Sequence, residues 1–299
     1  MNKSAGLSVL LAASFWGIIG VFVNTLTAMG FTNSEIIFVR AIMTTLCIFG
    51  WLFIKDREAI PIKVKDLWIF MGMGILSFVC FNLCYLQCIA ITGMSVAAVL
   101  LYTSPIFVML FSIVLFKERM TRGKGIALLL AFGGCVLVTG IIGDNGQTLT
   151  LTGILLGLGA GLGYSLYTVF GHYGVARYNS LSVTAWAFLF GTLGILPFVD
   201  FGHMLMVMAN SPLALALILL CGLVTNVLPY ICYTYGLAKM EGSKAAILAC
   251  LEPVVATIVG VLVYGEPITL TSTLGIVLVI GAVGVLNRDF GQKDVPEKH

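Results

Sequence analysis

The sequence predicts an all-α integral membrane fold of ten transmembrane helices, built from two five-helix inverted repeats. Three observations carry that prediction. First, 60% of the 299 residues are apolar and only 10% are charged, against roughly 25% charged residues in a soluble domain. Second, the apolar residues fall into ten runs, each close to the ~20 residues that cross a bilayer at a rise of ~1.5 Å per residue. Third, the chain resembles itself at a fixed offset: Pro105 returns as Pro253, 148 residues later. A mean hydropathy of +1.08 agrees with the first two. Water-soluble globules and disordered chains are excluded by this composition. So are nucleic-acid binders, because a net charge of +3 with no basic face offers no phosphate-binding surface.

The runs lie at roughly 6–29, 33–54, 67–91, 94–116, 123–142, 150–171, 180–199, 213–236, 243–264 and 270–287. The first is too long for a signal peptide and lacks a small-residue cleavage site followed by a polar start, so it reads as the first helix. Fifteen of the sixteen lysines and arginines fall in one set of connections: around Lys3, Lys55–Lys65, Lys117–Lys124, Arg177, Lys239–Lys244 and Arg288–Lys298. The alternate connections, near 30–34, 92–93, 143–149, 200–212 and 265–269, hold none. That partition supports the helix count. By the bias of basic residues toward the cytoplasm, it also puts both termini there.

The repeat aligns without gaps. Cys84-Tyr85 returns as Cys232-Tyr233, Ser95 as Ser243, Ala97-Ala98 as Ala245-Ala246, Glu118 as Glu266 and Thr121 as Thr269. The expected units are 1–142 and 150–287, followed by a cytoplasmic tail, 288–299. Five helices per unit is an odd number, so the second unit enters the membrane from the opposite side. Inverted repeats of this kind underlie alternating access in transporters, with substrate held near the midplane between the halves.

The segment from Leu101-Tyr102-Thr103-Ser104-Pro105 to Lys117-Glu118-Arg119-Met120-Thr121 resembles the second part of an EamA domain. So does Leu251-Glu252-Pro253 to Gly265-Glu266-Pro267. Ser14-Phe15-Trp16-Gly17 and Phe38-Val39-Arg40 are similar to the same pattern. Over nearly its whole length the chain resembles the ten-helix drug/metabolite transporter superfamily. The resemblance implies a small-solute carrier of the plasma membrane, of the bacterial inner-membrane kind, commonly an exporter of amino acids or related metabolites. It names no substrate.

Intramembrane charge is the costliest feature of the sequence. Glu252 falls near the centre of its run, where a carboxylate costs on the order of 2.5–3.5 kcal/mol on insertion scales. It is therefore expected to face the interior, either as a proton-coupling group or as a fixed acceptor beside the backbone that Pro253 interrupts. Arg40 lies about two turns into the second run and has three readings: an anchor that snorkels outward, a partner of Glu35, or a contact for a substrate carboxylate. The spacing to Glu35 is poor for a direct pair. Pro105 and Pro253 occupy matching midway positions and are kinks or hinges.

Candidate cavity residues are Trp16, Asn82, Tyr85, Tyr102, Ser104, Tyr164, Tyr167, Asn226, Tyr230, Tyr233 and Glu252, on helices that the resemblance places around a cavity. Each has a competing role in helix packing. The eight cysteines lie inside apolar runs and read as buried thiols. Cys80, Cys84 and Cys88 share a helix face, but no histidine or carboxylate stands near them in sequence to complete a metal site. The glycines at 153, 157 and 161 mark close helix packing, and Glu118 and Glu266 sit at helix ends as caps or hinge-loop contacts.

No phosphate-binding loop is present, since Gly123-Lys124-Gly125 lacks the upstream glycine and the following Ser or Thr. An enzyme would need clustered His, Asp or Glu at midplane, where Glu252 stands nearly alone. The expectation is a secondary transporter that works by alternating access without a cofactor. The alternative is a proton-coupled carrier of organic cations or drugs. The candidate partners are a small-molecule substrate, the lipid bilayer, protons and a second copy of the chain in a homodimer, with no nucleic acid.

Overall fold

The computed structural model describes residues 3–141 and 150–291, and within them the chain is helix and connecting turns with no strand. Residues 292–299 of the expected tail lie outside the described residues. The first half contains α1 (Ser4–Ala28), α2 (Asn33–Lys55), α3 (Val64–Thr92), α4 (Met94–Phe116) and α5 (Arg122–Val138). The second contains α6 (Leu151–Val175), α7 (Ser180–Phe198), α8 (Pro212–Leu237), α9 (Gly242–Tyr264) and α10 (Leu270–Gly291). Eight of these are long and apolar enough to cross a membrane. The ten expected spans are thus met in full length by eight. α5 has 17 residues, and the apolar part of α10 ends at Leu286.

Helix ends follow local chemistry. Thr32 and Glu35 form a reciprocal capping box at the start of α2, and Thr121 and Thr150 accept from backbone amides at the starts of α5 and α6. The connection 200–212, expected as a loop, contains a short helix, Phe201–Asn210, capped by Asp200 through the His203 amide at 3.0 Å.

Packing between the halves is reciprocal. α1 packs on α8 and α9, while its counterpart α6 packs on α3 and α4. α2 packs on α7, and α5 on α10. Each unit leans on the other, so the core lies between them. The glycine stripe of α6 packs as expected, with Gly157 against Leu100 and Cys88 and Gly161 against Leu100 and Thr103. Not all cysteines are buried. Cys88, Cys135, Cys221 and Cys250 are, whereas Cys47 and Cys80 are exposed on the apolar surface, where an uncharged thiol is tolerated as a small hydrophobe.

The two α4-type helices are interrupted at the same place. α4 breaks into Met94–Leu101 and Ser104–Phe116, and α9 into Gly242–Ala249 and Glu252–Tyr264. At both breaks the ladder tightens: Thr103 donates to the Leu100 carbonyl and Leu251 to that of Leu248, each at 3.2 Å. Pro105 and Pro253 therefore stand in the first turn of a new helical segment, where a proline's missing N–H costs nothing. The expected kinks are real breaks, and the prolines begin segments instead of bending them.

α5 and α10 meet through Gly134 and Gly275. A Cβ on Gly134 would lie 2.7 Å from Val279 Cγ2 and 2.8 Å from the Gly275 carbonyl oxygen, and backbone cannot yield. Gly134→Val is expected to destabilise the fold by about 1–3 kcal/mol. Gly133→Ala, which meets nothing within 4 Å, is expected to be neutral. Thermal unfolding in detergent micelles checks the contrast.

Candidate functional site

A cavity lies between the halves where the broken helices face α1, α2 and α3. One lobe, of about 240 Å³, is lined by Trp16, Arg40, Asn82, Tyr85, Tyr164, Tyr230 and Glu252 among others. A second lobe, of about 490 Å³, shares Trp16, Asn24, Tyr85 and Glu252 and extends past Tyr102, Pro253 and Thr257 to Tyr264 and Glu266. Together they reach the volume of small-molecule sites, about 300–1,000 Å³. The rim residues Asn33, Met94, Thr139 and Glu266 lie at helix ends whose connections hold no lysine or arginine. The cavity therefore opens at the end of the molecule opposite the basic residues.

Glu252 reaches the cavity because α9 breaks just before it. The carboxylate stands in the first turn of the segment Glu252–Tyr264, where unpaired backbone amides and the helix dipole favour negative charge. The Tyr164 hydroxyl donates to its Oε2 at 3.3 Å. α1 approaches the break closely: a Cβ on Gly17 would lie 2.8 Å from the Glu252 carbonyl oxygen. Sequence placed this residue at mid-helix; what it missed is the interruption two residues earlier.

Arg40 lines the same lobe and is 6% exposed. Its Nη2 donates to the Thr225 carbonyl at 3.3 Å, and its Nε is buried without a hydrogen-bond partner. A buried, unmatched guanidinium N–H is costly and unusual. The pairing with Glu35 is not formed. Glu35 instead accepts from the Thr32 amide at 2.8 Å and meets His203 Nδ1 at 2.8 Å, anchoring the short helix Phe201–Asn210. Neither residue's neighbour in sequence announced that partner.

Several expected lining residues do structural work instead. Asn226 is fully buried and donates to the Arg40 carbonyl at 3.0 Å and to Thr44 Oγ1 at 2.8 Å, clamping α8 to α2 below the arginine. Ser104 is buried in α4 and lines neither lobe. Tyr167 and Tyr233 lie beneath the cavity around a much smaller space, their hydroxyls paired with Thr234 at 3.3 Å and Thr168 at 2.6 Å. With Tyr230, which packs 5.1 Å from Trp16 and 4.9 Å from Tyr167, they form an aromatic floor. Asn82 lines the cavity, though its amide donates to the Phe78 carbonyl of its own helix at 2.7 Å. The polarity that makes both Asn82 and Asn226 cavity candidates could not separate these roles, because both side chains face inward.

Below the floor the basic end is closed. Glu118, at the end of α4, accepts from the Gly242 amide at 3.0 Å and from the Ser243 hydroxyl. Lys124, whose side chain is 1% exposed, bridges Glu118 at 3.1 Å and Glu241 at 3.3 Å. Burial pushes the Glu241 carboxyl up, but Lys244 and Lys124 outweigh it and hold it below the ordinary carboxylate value. Its contribution is therefore present at neutral pH and is lost as pH falls through that lowered value. Nearby, Asp66 accepts from Arg177 at 2.7 Å and Tyr178 at 2.6 Å, tying α3 to the end of α6.

A helical membrane protein with a polar-dotted aromatic cavity, open at one end and closed by ion pairs at the other, belongs to the class of solute transporters. The EamA-like transporter family model matches residues 3–140 and again 151–288, and the chain belongs to that family. An uncharacterized transporter of Archaeoglobus fulgidus is 24% identical over 282 residues, covering 93% of this chain and 96% of the relative. The uncharacterized inner membrane transporter YicL of Salmonella typhimurium is 26% identical over 296 residues, covering 96% of each. A solved crystal structure shares the fold, with a TM-score of 0.75 at 15% identity, covering 97% of this chain and 99% of that one.

Tyr233→Phe, which strands the Thr168 hydroxyl, is expected to lower stability by about 0.5–1.5 kcal/mol and to leave ligand affinity in the cavity unchanged. Thermal unfolding and a binding assay on the same sample separate the two readouts.

Proposed function

We propose that the protein is a secondary carrier that exports amino acids or related small metabolites across the plasma membrane by alternating access. The observation that carries this reading is the pairing of opposite charges in one cavity. Arg40, with its unmatched Nε, suits a carboxylate, and Glu252, held by a single tyrosine hydroxyl, suits an ammonium. The aromatic walls from Trp16, Tyr85 and Tyr164 suit an apolar side chain between them. Bidentate guanidinium–carboxylate geometry makes arginine the residue of choice for that end. The bias of basic residues supports cytoplasmic termini, so that the cavity faces the outside. Export as the direction rests on the family resemblance.

A second reading follows from Glu252 alone. A cavity carboxylate with one hydroxyl partner also suits exchange of a proton for an organic cation, in which case Arg40 serves as an anchor for α8 through Thr225.

Binding to the purified protein separates the two. A zwitterionic amino acid is expected to bind, and Arg40→Gln and Glu252→Gln are each expected to weaken it about tenfold to a hundredfold, the worth of one charge-assisted hydrogen bond. Binding of organic amines that Arg40→Gln leaves untouched would instead establish the second reading.

A further inference from the structure

The closed end of the molecule is held by parts that the repeat supplies twice. At the end of α4, Lys117 takes a left-handed conformation with φ of 54°, and the Glu118 amide reaches back to the Ser112 carbonyl at 3.0 Å. At the end of α9, Gly265 does the same with φ of 68°, and the Glu266 amide reaches the Gly260 carbonyl at 3.4 Å. Both are six-residue helix stops that present the following glutamate across the helix end. Glu118 then joins the start of α9 at Gly242 and Ser243. The counterparts of those two residues are Met94 and Ser95, at the start of α4.

At the open end no hydrogen bond joins the corresponding parts among the described residues. Met94 and Ser95, at the start of α4, and Glu266, just past the end of α9, line the same lobe of the cavity. Ser243 is fully buried, whereas Ser95 is half-buried and Glu266 exposed. Among the described residues the Glu266 carboxylate makes no hydrogen bond or ion pair.

We propose that Glu266 is a second latch, which closes the open end by accepting from the Ser95 hydroxyl and the Met94 amide as Glu118 now does from Ser243 and Gly242. The inference rests on the carrier reading, because only a carrier needs both ends to close in turn. The mouth has room for the movement: Gly260 stands where Ser112 does at the closed end, and the Glu266 carboxylate now rests against it. The two latches are unequal. Lys124 corresponds to Ser272 and Glu241 to Gly93, so the ion pairs that reinforce Glu118 have no equivalents around Glu266. That asymmetry makes the state described here the resting one, and Lys124 the residue that biases the equilibrium toward it.

Disulfide trapping in proteoliposomes tests this without any knowledge of substrate. Ser95→Cys with Glu266→Cys is expected to cross-link slowly under mild oxidation, read by mass spectrometry of the linked peptides against each single variant. Adding Lys124→Gln is expected to raise the rate about tenfold, since removing one partner of a buried ion pair weakens the opposing latch. Adding Glu241→Gln, at a more exposed position, is expected to raise it less and serves if Lys124→Gln fails to fold. Failure of the 95–266 pair to link in any background overturns the latch. A rate indifferent to both added substitutions overturns the bias. A carrier that transports normally while 95 and 266 never meet would leave the carrier reading intact and remove only this latch.

Discussion

The interruption of α9 at Cys250-Leu251, mirrored in α4 at Tyr102-Thr103, is the constraint on which the site depends. A bilayer offers no water to satisfy broken backbone, so such breaks persist only where protein or a cavity surrounds them. Here the tightened turn consumes part of the freed hydrogen bonding, and the prolines occupy positions with no bond to lose. What remains is a fresh helix start at midplane whose first residue is Glu252. There the Tyr164 hydroxyl donates to its carboxylate, and the positive end of the helix dipole favours negative charge. Gly17 on α1 and Gly161 on α6 then let neighbouring helices approach both breaks closely.

Duplication explains why one constraint shapes both ends. Each unit's first helix packs on the third and fourth helices of the other, and under the proposed carrier function a shift of one unit changes the two mouths in opposite senses. Divergence between the copies leaves the two ends chemically unequal. The basic end has Lys124 and Glu241, buried and half-exposed respectively, and the opposite end has serine and glycine in their places. A buried ion pair is worth little by itself, but breaking it leaves an uncompensated charge, which makes it effective as a lock.

Much of this was legible in the sequence. Composition and the segregation of lysine and arginine specify a multi-helix membrane fold, and the 148-residue offset specifies its internal symmetry. Arg40 and Glu252, singled out by the cost of intramembrane charge, line one cavity together with the aromatic residues Trp16, Tyr85, Tyr164 and Tyr230. Roles set by partners distant in sequence were not legible. Asn226 clamps Arg40 from 186 positions away, Glu118 reaches Ser243 across 125, and Glu35 meets His203 across 168. Ser104 failed as a lining residue because helix polarity at one depth says nothing of which way each side chain turns. Exposure of Cys47 and Cys80 escaped for the related reason that a lipid-facing surface and a protein core have the same composition.

The proposed function requires one cavity, reached from one end at a time, to carry a small zwitterion. Proteoliposomes loaded with a mixed pool of metabolites test it most directly, with the released solutes identified by mass spectrometry against protein-free liposomes. Selective loss of a few amino acids is expected, faster when the same amino acid is supplied outside, as exchange through a single alternating site requires. Loss of organic cations alone, or unselective leakage that external solute does not accelerate, would contradict it.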